Sequence, residues 1–212
     1  MSNSSTFPRR ERAIEYARRE ILDAAAGCFG RKGYRGTTVS EIARAAGYTP
    51  PTLYSYFTGK EEIYQAILTL VTEEFLATFE TPTPRGLTFE QKIELLLRRQ
   101  LQIADDRRDF MTIYFSVASS ALQQPPVPAG FERYAARLAG WLKRESRPAD
   151  RAGRAPEDVA WAMAGVVYSF VRRACAVGSS EPLLERADLI CDLVLHGSSG
   201  CWRTIHGERS SS

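Results

Sequence analysis

Hydrophobic positions recur at three- and four-residue intervals along most of the chain, the period of amphipathic helices, and no stretch shows a convincing two-residue alternation. From Arg9, Ile14, Ala17, Ile21, Ala25, Cys28 and Phe29 form one face, with Arg and Glu between them, predicting a helix that ends at Gly33. Thr38-Val39-Ser40-Glu41 is a capping box opening a second helix with Val39, Ile42, Ala43 and Ala46 inward. Gly47 breaks it, Thr49 caps the next, and Pro50 and Pro51 stand in a first turn where a missing N–H costs little. This third helix is expected over Pro50 to Tyr56, with Leu53 and Phe57 on one face. A second capping box, Thr58 with Glu61, opens a fourth helix whose stripe is Ile63, Ile67, Leu70, Val71, Glu74 and Phe75.

The Pro/Gly stretch 81–88 reads as a linker. Beyond it helical patterns run over Phe89–Ala104, Asp109–Leu122, Phe131–Arg144, Glu157–Val177 and Leu183–His196, separated by 125–130 and 146–156. Glu157–Val177 is apolar almost all round and is expected to be buried on most sides. The fold class is therefore all-α, about nine helices. The expected divisions are a flexible basic arm over 1–14, a first helical domain over 15–75, a second helical domain over 76–197, and a flexible tail over 198–212.

Composition changes this picture only through its distribution. The net charge is +3, but residues 1–60 carry ten Arg and Lys against five Asp and Glu, while the remainder carries eighteen against twenty. The positive field lies in the first quarter, which suits a polyanionic partner. No segment approaches the ~20 apolar residues of a membrane span, and the N-terminus lacks the apolar segment of a signal peptide, so the expectation is a cytoplasmic protein without membrane contact. Cys28, Cys175 and Cys191 fall on apolar faces and suit core packing. With Cys201 they include no CxxC pair, and His196 and His206 have no metal-ligand spacing. No nucleophile–base pair or phosphate loop is present, so no catalytic residue, cofactor or metal is assigned.

Two short helices around a tight turn can place the second in the major groove of DNA. With Leu53 and Phe57 inward, Pro50, Pro51, Thr52, Tyr54, Ser55 and Tyr56 face mostly outward. Phenols there offer O–H donors to phosphate, and Lys60 adds charge at a helix start. The run from Ile21 through Tyr64 resembles the DNA-binding domain of TetR-family transcriptional regulators: Ile21-Leu22, Ala24-Ala25, Phe29, Gly33-Tyr34, Thr37-Thr38-Val39, Ile42-Ala43, Ala46-Gly47, Thr52-Leu53-Tyr54, Phe57 and Lys60-Glu61 match without a gap. The resemblance implies an N-terminal three-helix helix-turn-helix domain in which Thr38, Tyr54, Tyr56 and Lys60 touch phosphates and Thr49, Pro50, Pro51, Thr52 and Ser55 line the groove. Tyr48 stands where the family has a smaller aliphatic residue, and Pro50 where it has a polar one. Arg9, Arg10 and Arg12 form an arm for which DNA contact and plain solvation both stay open.

The resemblance also implies a homodimer formed by the last two helices, with Met163, Val167, Phe170, Leu183, Ile190 and Val194 at the interface. An effector pocket is expected among the helices from Phe89 to Val177, with Gln100, Phe110, Met111, Tyr114, Phe115, Trp141, Trp161 and Tyr168 as candidate walls. Their chemistry suits a small hydrophobic or aromatic effector. The expected function is a dimeric repressor that binds an inverted-repeat operator in double-stranded DNA and is released by that effector. The alternative is a helical protein-interaction adaptor without specific DNA binding.

Overall fold

The helical periodicity is realised throughout the described residues. A computed structural model describes residues 9–117, 129–147, 153–177 and 181–205, and these form nine α-helices, one 3₁₀ turn and no strand. The helices are α1 (Arg9–Gly36), α2 (Val39–Ala45), α3 (Pro50–Tyr54), α4 (Lys60–Ala77), α5 (Phe89–Asp106), α6 (Arg108–Val117), α7 (Ala129–Glu145), α8 (Pro156–Val177) and α9 (Ala187–Ile205), with the 3₁₀ turn at Leu183–Arg186. The chain divides into two compact units, with the boundary falling in α4 between Leu70 and Val71.

In the first unit, Ile21, Ala25 and Ala26 of α1, Ile42 and Ala43 of α2, Leu53 of α3, Phe57, and Ile63 and Ile67 of α4 are essentially sealed from solvent. Burial of the Ile, Leu and Phe side chains among them contributes about 1.5–3 kcal/mol each before entropy is counted. Helix α2 starts with the expected box: the Thr38 hydroxyl accepts from the Glu41 N–H, and Glu41 accepts the Thr38 N–H at 2.9 Å. Gly47 has φ 77°, the left-handed conformation that the turn into α3 requires and that a side chain would strain.

Several boundaries differ from the sequence reading. Helix α1 already covers Arg9 to Ile14, so the segment assigned to a flexible arm is helical from Arg9 onward; the rest of that arm lies outside the described residues. Helix α3 stops at Tyr54, with Ser55 as its C-cap. The Thr58 N–H and hydroxyl go to Glu62, at 2.6 and 2.9 Å, and not to Glu61. The reason is register: α4 begins at Lys60, so the carboxylate able to reach back to Thr58 is one residue later, and Glu61 is left to accept from Tyr34 at 2.6 Å.

The second unit is built on α5–α9. Thr88 caps α5 in a box with Gln91. Ile93, Leu96, Leu97, Leu101, Phe110, Ile113, Leu138, Trp141, Ala160, Met163, Leu183 and Ile190 form its core. Asp105 accepts the backbone N–H groups of Leu183 and Leu184 at 2.9 and 3.0 Å and pairs with Arg108 at 2.7 Å, pinning the 3₁₀ turn to the α5–α6 corner. Helix α8 is not buried on most sides. Ala160, Met163, Ala164, Val167 and Val171 are inside, while Trp161 is 46% exposed and Ala162, Ser169, Arg172 and Arg173 face solvent. Helix α9 breaks its regular geometry at Gly197 (φ 67°) and then resumes to Ile205, where a flexible tail is expected. Residues 206–212 lie outside the described residues, as do 118–122 of the expected sixth helix.

Candidate nucleic-acid interface and candidate ligand cavity

Helix α3 is five residues long, and only Leu53 is buried. Its N-cap Thr49 accepts the Thr52 N–H at 3.3 Å, and the two hydroxyls lie 2.8 Å apart. The Ser55 hydroxyl donates to the Thr52 carbonyl at 2.6 Å. These polar groups are locally satisfied yet exposed, so a ligand can exchange with their internal bonds. Pro51, Tyr54 and Ser55 are exposed, and Pro50, Thr52 and Tyr56 are half-buried. Tyr54 is 54% exposed. Among the described residues neither the Tyr54 nor the Tyr56 hydroxyl has a hydrogen bond, and the Tyr56 ring packs on Tyr48 at 6.1 Å.

The short helix is held from both sides by α1. The Tyr48 hydroxyl, just before α3, donates to Glu20 at 2.8 Å. Arg18 donates to the Tyr56 carbonyl just after α3, stacks 4.0 Å from the Phe57 ring centroid, and pairs with Glu62 at 3.5 Å. Sequence reasoning marked Tyr48 only as a departure and missed Glu20 and Arg18, because nothing local ties residues 28 or 38 apart.

Lys60 is not a free cation on a helix start. Its ammonium donates to the Tyr34 carbonyl at 2.8 Å and the Thr37 carbonyl at 2.9 Å, and sits 4.5 Å from the Tyr34 ring centroid. One of its three N–H groups remains for another acceptor. Thr38 is equally engaged: its hydroxyl also donates to Glu41 at 3.0 Å. The hydrogen bond from Lys32, then the backbone and hydroxyl of Thr38, hold the Glu41 carboxyl down at about 2. Desolvation first, and then the Glu61 hydrogen bond, push the Tyr34 phenol up to about 12. Glu61 is lowered in turn, chiefly by that same bond.

In the second unit a cavity of about 80 Å³ opens between α4, α6, α7 and α8. Val71, Thr72 and Phe75 line it from α4, Met111, Tyr114 and Phe115 from α6, Gly130, Phe131 and Tyr134 from α7, and Ala164, Val167, Tyr168 and Val171 from α8. Of the expected walls, Met111, Tyr114, Phe115 and Tyr168 are therefore brought together. Gln100, Phe110, Trp141 and Trp161 are not. Phe110 and Trp141 are core residues. Trp161 turns outward against Phe131, with ring centroids 5.2 Å apart. Gln100 stands behind the wall, fully buried, accepting from the Tyr134 hydroxyl at 2.6 Å and donating to Thr78 at 3.1 Å. Helical periodicity gives each inward face but not which part of it meets a void, so Phe75, Phe131 and Tyr134 were missed. Gly130 allows the close approach of α7: a Cβ there would sit 3.1 Å from the Thr72 hydroxyl and 3.4 Å from that of Tyr114.

The cavity wall is nearly all carbon. Its unsatisfied polar groups are the hydroxyls of Tyr114 and Tyr168, which have no hydrogen bond among the described residues. Desolvation, and secondarily Tyr168, raise the Tyr114 phenol to about 12, so it is a neutral donor at ordinary pH. No group of three or more His, Cys, Asp or Glu able to hold a metal ion occurs among the described residues, and none of their helices is long and apolar enough to cross a membrane.

The expected interface residues separate into two sets. Met163, Val167, Leu183 and Ile190 are buried within the chain itself, so their apolar character already serves its own core. Phe170 and Val194 are partly open, and among the described residues Trp161 and Leu189 are the exposed large apolar side chains of α8 and α9.

Residues 21–67 match the family model "Bacterial regulatory proteins, tetR family". The chain is 32% identical over 97 residues to the transcriptional repressor KstR2 of Rhodococcus jostii, a match covering 46% of this chain and 48% of that repressor. It is 27% identical over 180 residues to the repressor AcnR of Corynebacterium efficiens, covering 82% of this chain and 90% of AcnR. Among solved structures, SmeT, the repressor of the Stenotrophomonas maltophilia multidrug efflux pump SmeDEF, aligns with a TM-score of 0.65 at 27% identity over 84% of this chain and 88% of SmeT. SmeT is also known in complex with triclosan, and that structure aligns with a TM-score of 0.64 at 26% identity over 85% of this chain and 90% of that one.

Proposed function

We propose that the chain, whose residues 21–67 match the model of the tetR family of bacterial regulatory proteins, is a regulator of that family and a ligand-responsive transcriptional repressor acting on DNA in the cytoplasm. The observation that carries the reading is α3: five residues, one buried side chain, and two phenol hydroxyls with no partner among the described residues, on a unit with the family's helix-turn-helix sequence. In this reading Tyr54, Tyr56 and the remaining N–H of Lys60 meet phosphates, with Thr38 at the end of α2. Thr49, Thr52 and Ser55 exchange their local bonds for base edges, and Pro50 and Pro51 contact thymine methyl groups.

So short a reading helix covers few base pairs, so two copies on an inverted repeat supply the specificity. The open apolar positions Trp161, Phe170, Leu189 and Val194 support a homodimer through α8 and α9. The carbon-lined cavity supports a small, neutral, hydrophobic effector accepting from Tyr114 or Tyr168, and the triclosan complex of the similar SmeT is consistent with an aromatic one. At about 80 Å³ the cavity must enlarge to admit a drug-sized molecule, so an occupant favours a conformer other than this one and shifts the population away from it.

Selection of duplexes from a random pool, followed by anisotropy titration and sedimentation, tests the reading. It expects an enriched inverted repeat, a dimer on DNA, affinity falling steeply with salt, and release by triclosan as the probe ligand. A chain that enriches no sequence and binds no duplex at low salt is an adaptor instead.

A further inference from the structure

The basic segment before Ala17 is helix, not free arm, and that fixes which of its side chains share a face. At 100° per residue, Arg9, Arg12, Tyr16 and Glu20 fall on one side of α1, one turn after another, while Arg10 points about 120° away from Tyr16. Glu20 accepts the hydroxyl of Tyr48, the residue that leads into α3, and Tyr48 packs on Tyr56, which follows α3. Tyr16, one turn before Glu20, therefore stands beside the reading helix. It is 67% exposed, the most exposed large apolar side chain among the described residues. Its hydroxyl has no hydrogen bond, and Arg9 and Arg12 have no ion pair, among those same residues. The two guanidinium groups and the phenol lie in a row with their donors open to an anion, among the described residues.

We propose that the Arg12–Tyr16 face of α1 is a second phosphate clamp, gripping the DNA backbone next to the groove occupied by α3. The inference rests on the DNA-binding reading and adds a surface to it. Arg12 supplies a charge-assisted fork and Tyr16 a single O–H, with Arg9 one turn further out. Because α1 is tied to both ends of α3 through Glu20–Tyr48 and Arg18–Tyr56, the clamp sets how α3 enters the groove. Phosphate contacts carry no base identity, so the clamp raises affinity for every sequence alike.

The test uses the full chain, titrated against a duplex enriched on the wild-type protein and against mixed-sequence duplex, between roughly 50 and 200 mM salt. Arg12→Ala is expected to weaken both duplexes about tenfold and to lower the salt slope by about 0.9, the loss of one neutralised phosphate. Tyr16→Phe, which loses only the hydroxyl, is expected to weaken both about three- to tenfold with an unchanged melting temperature. Arg12→Lys retains the slope, and Arg10→Ala, on the other side of the helix, leaves affinity and slope near wild type. Wild-type affinity and slope in both Arg12→Ala and Tyr16→Phe would overturn the clamp while leaving the α3 reading in place, provided that Tyr54→Ala still weakens binding. Equal losses from Arg10→Ala and Arg12→Ala would also overturn it, since bulk charge would then be the cause. A wild-type chain that binds neither duplex removes the DNA-binding reading itself, and the clamp with it.

Discussion

Replacing Lys60 by Met separates two jobs that one ammonium group can do. In the free chain it spans the Tyr34 and Thr37 carbonyls at 2.8 and 2.9 Å and lies over the Tyr34 ring, closing the end of α1 onto the start of α4. Hydrogen bonds from a charged donor contribute about 1.5–3 kcal/mol each when buried, and an exposed cation–π contact about 0.5–1 kcal/mol. Lys60 is half-buried and water can reach the vacated carbonyls, so roughly half of the sum survives, about 2–3 kcal/mol. Methionine retains the stem's packing and removes only the charge and the donors. For a chain of this size the expected fall in melting temperature is about 5–10 °C, read by far-UV circular dichroism and checked by the urea midpoint at unchanged m-value. DNA affinity should fall as well, through the one N–H left for phosphate and through a loosened α2–α3 frame. A Lys60→Met protein that melts within about 1 °C of wild type, yet loses affinity and about one unit of salt slope, refutes the bridging of the Tyr34 and Thr37 carbonyls as a source of stability and returns Lys60 to phosphate binding alone.

Tyr134→Phe removes the donor to fully buried Gln100 and should cost about 1–3 kcal/mol in urea unfolding; Tyr134→Phe with Gln100→Leu should recover part of it, because an apolar pair leaves no orphaned acceptor. Tyr114→Phe should leave stability within about 0.5 kcal/mol, since its hydroxyl makes no hydrogen bond among the described residues, while weakening the binding of an acceptor-bearing aromatic probe in calorimetry; a large stability loss would contradict its proposed role as a cavity donor. Glu41 is held at about 2, below its unfolded value, so its contribution is present above that unfolded value and is lost as pH falls toward 2; Glu41→Gln should flatten the acid limb of the stability profile. Tyr34 is raised to about 12, so its contribution is complete below the unfolded value near 10 and is lost as pH rises toward 12; Tyr34→Phe should shift alkaline unfolding, followed by tyrosinate absorbance.

What the sequence determined by itself is local. Capping chemistry acts over three or four residues, so the starts of α2 and α3 were legible from Thr38 and Thr49, and the turn from Gly47. Periodicity assigned the inward faces, which is why Met111, Tyr114, Phe115 and Tyr168 were found. What only the tertiary structure decided is where those faces meet. A residue that is apolar and inward is core or cavity wall according to how the neighbouring helix is spaced. That is why Trp141 and Phe110 are core, Trp161 points out, and Phe131 and Tyr134 come to the void. The same limit applies to charge. Lys60 at a helix start looks like a phosphate ligand, until the end of α1, more than twenty residues earlier, brings it two carbonyls. A side chain's chemistry is written in the sequence, but whether it is already spent on the protein's own backbone depends on contacts between segments far apart in the chain.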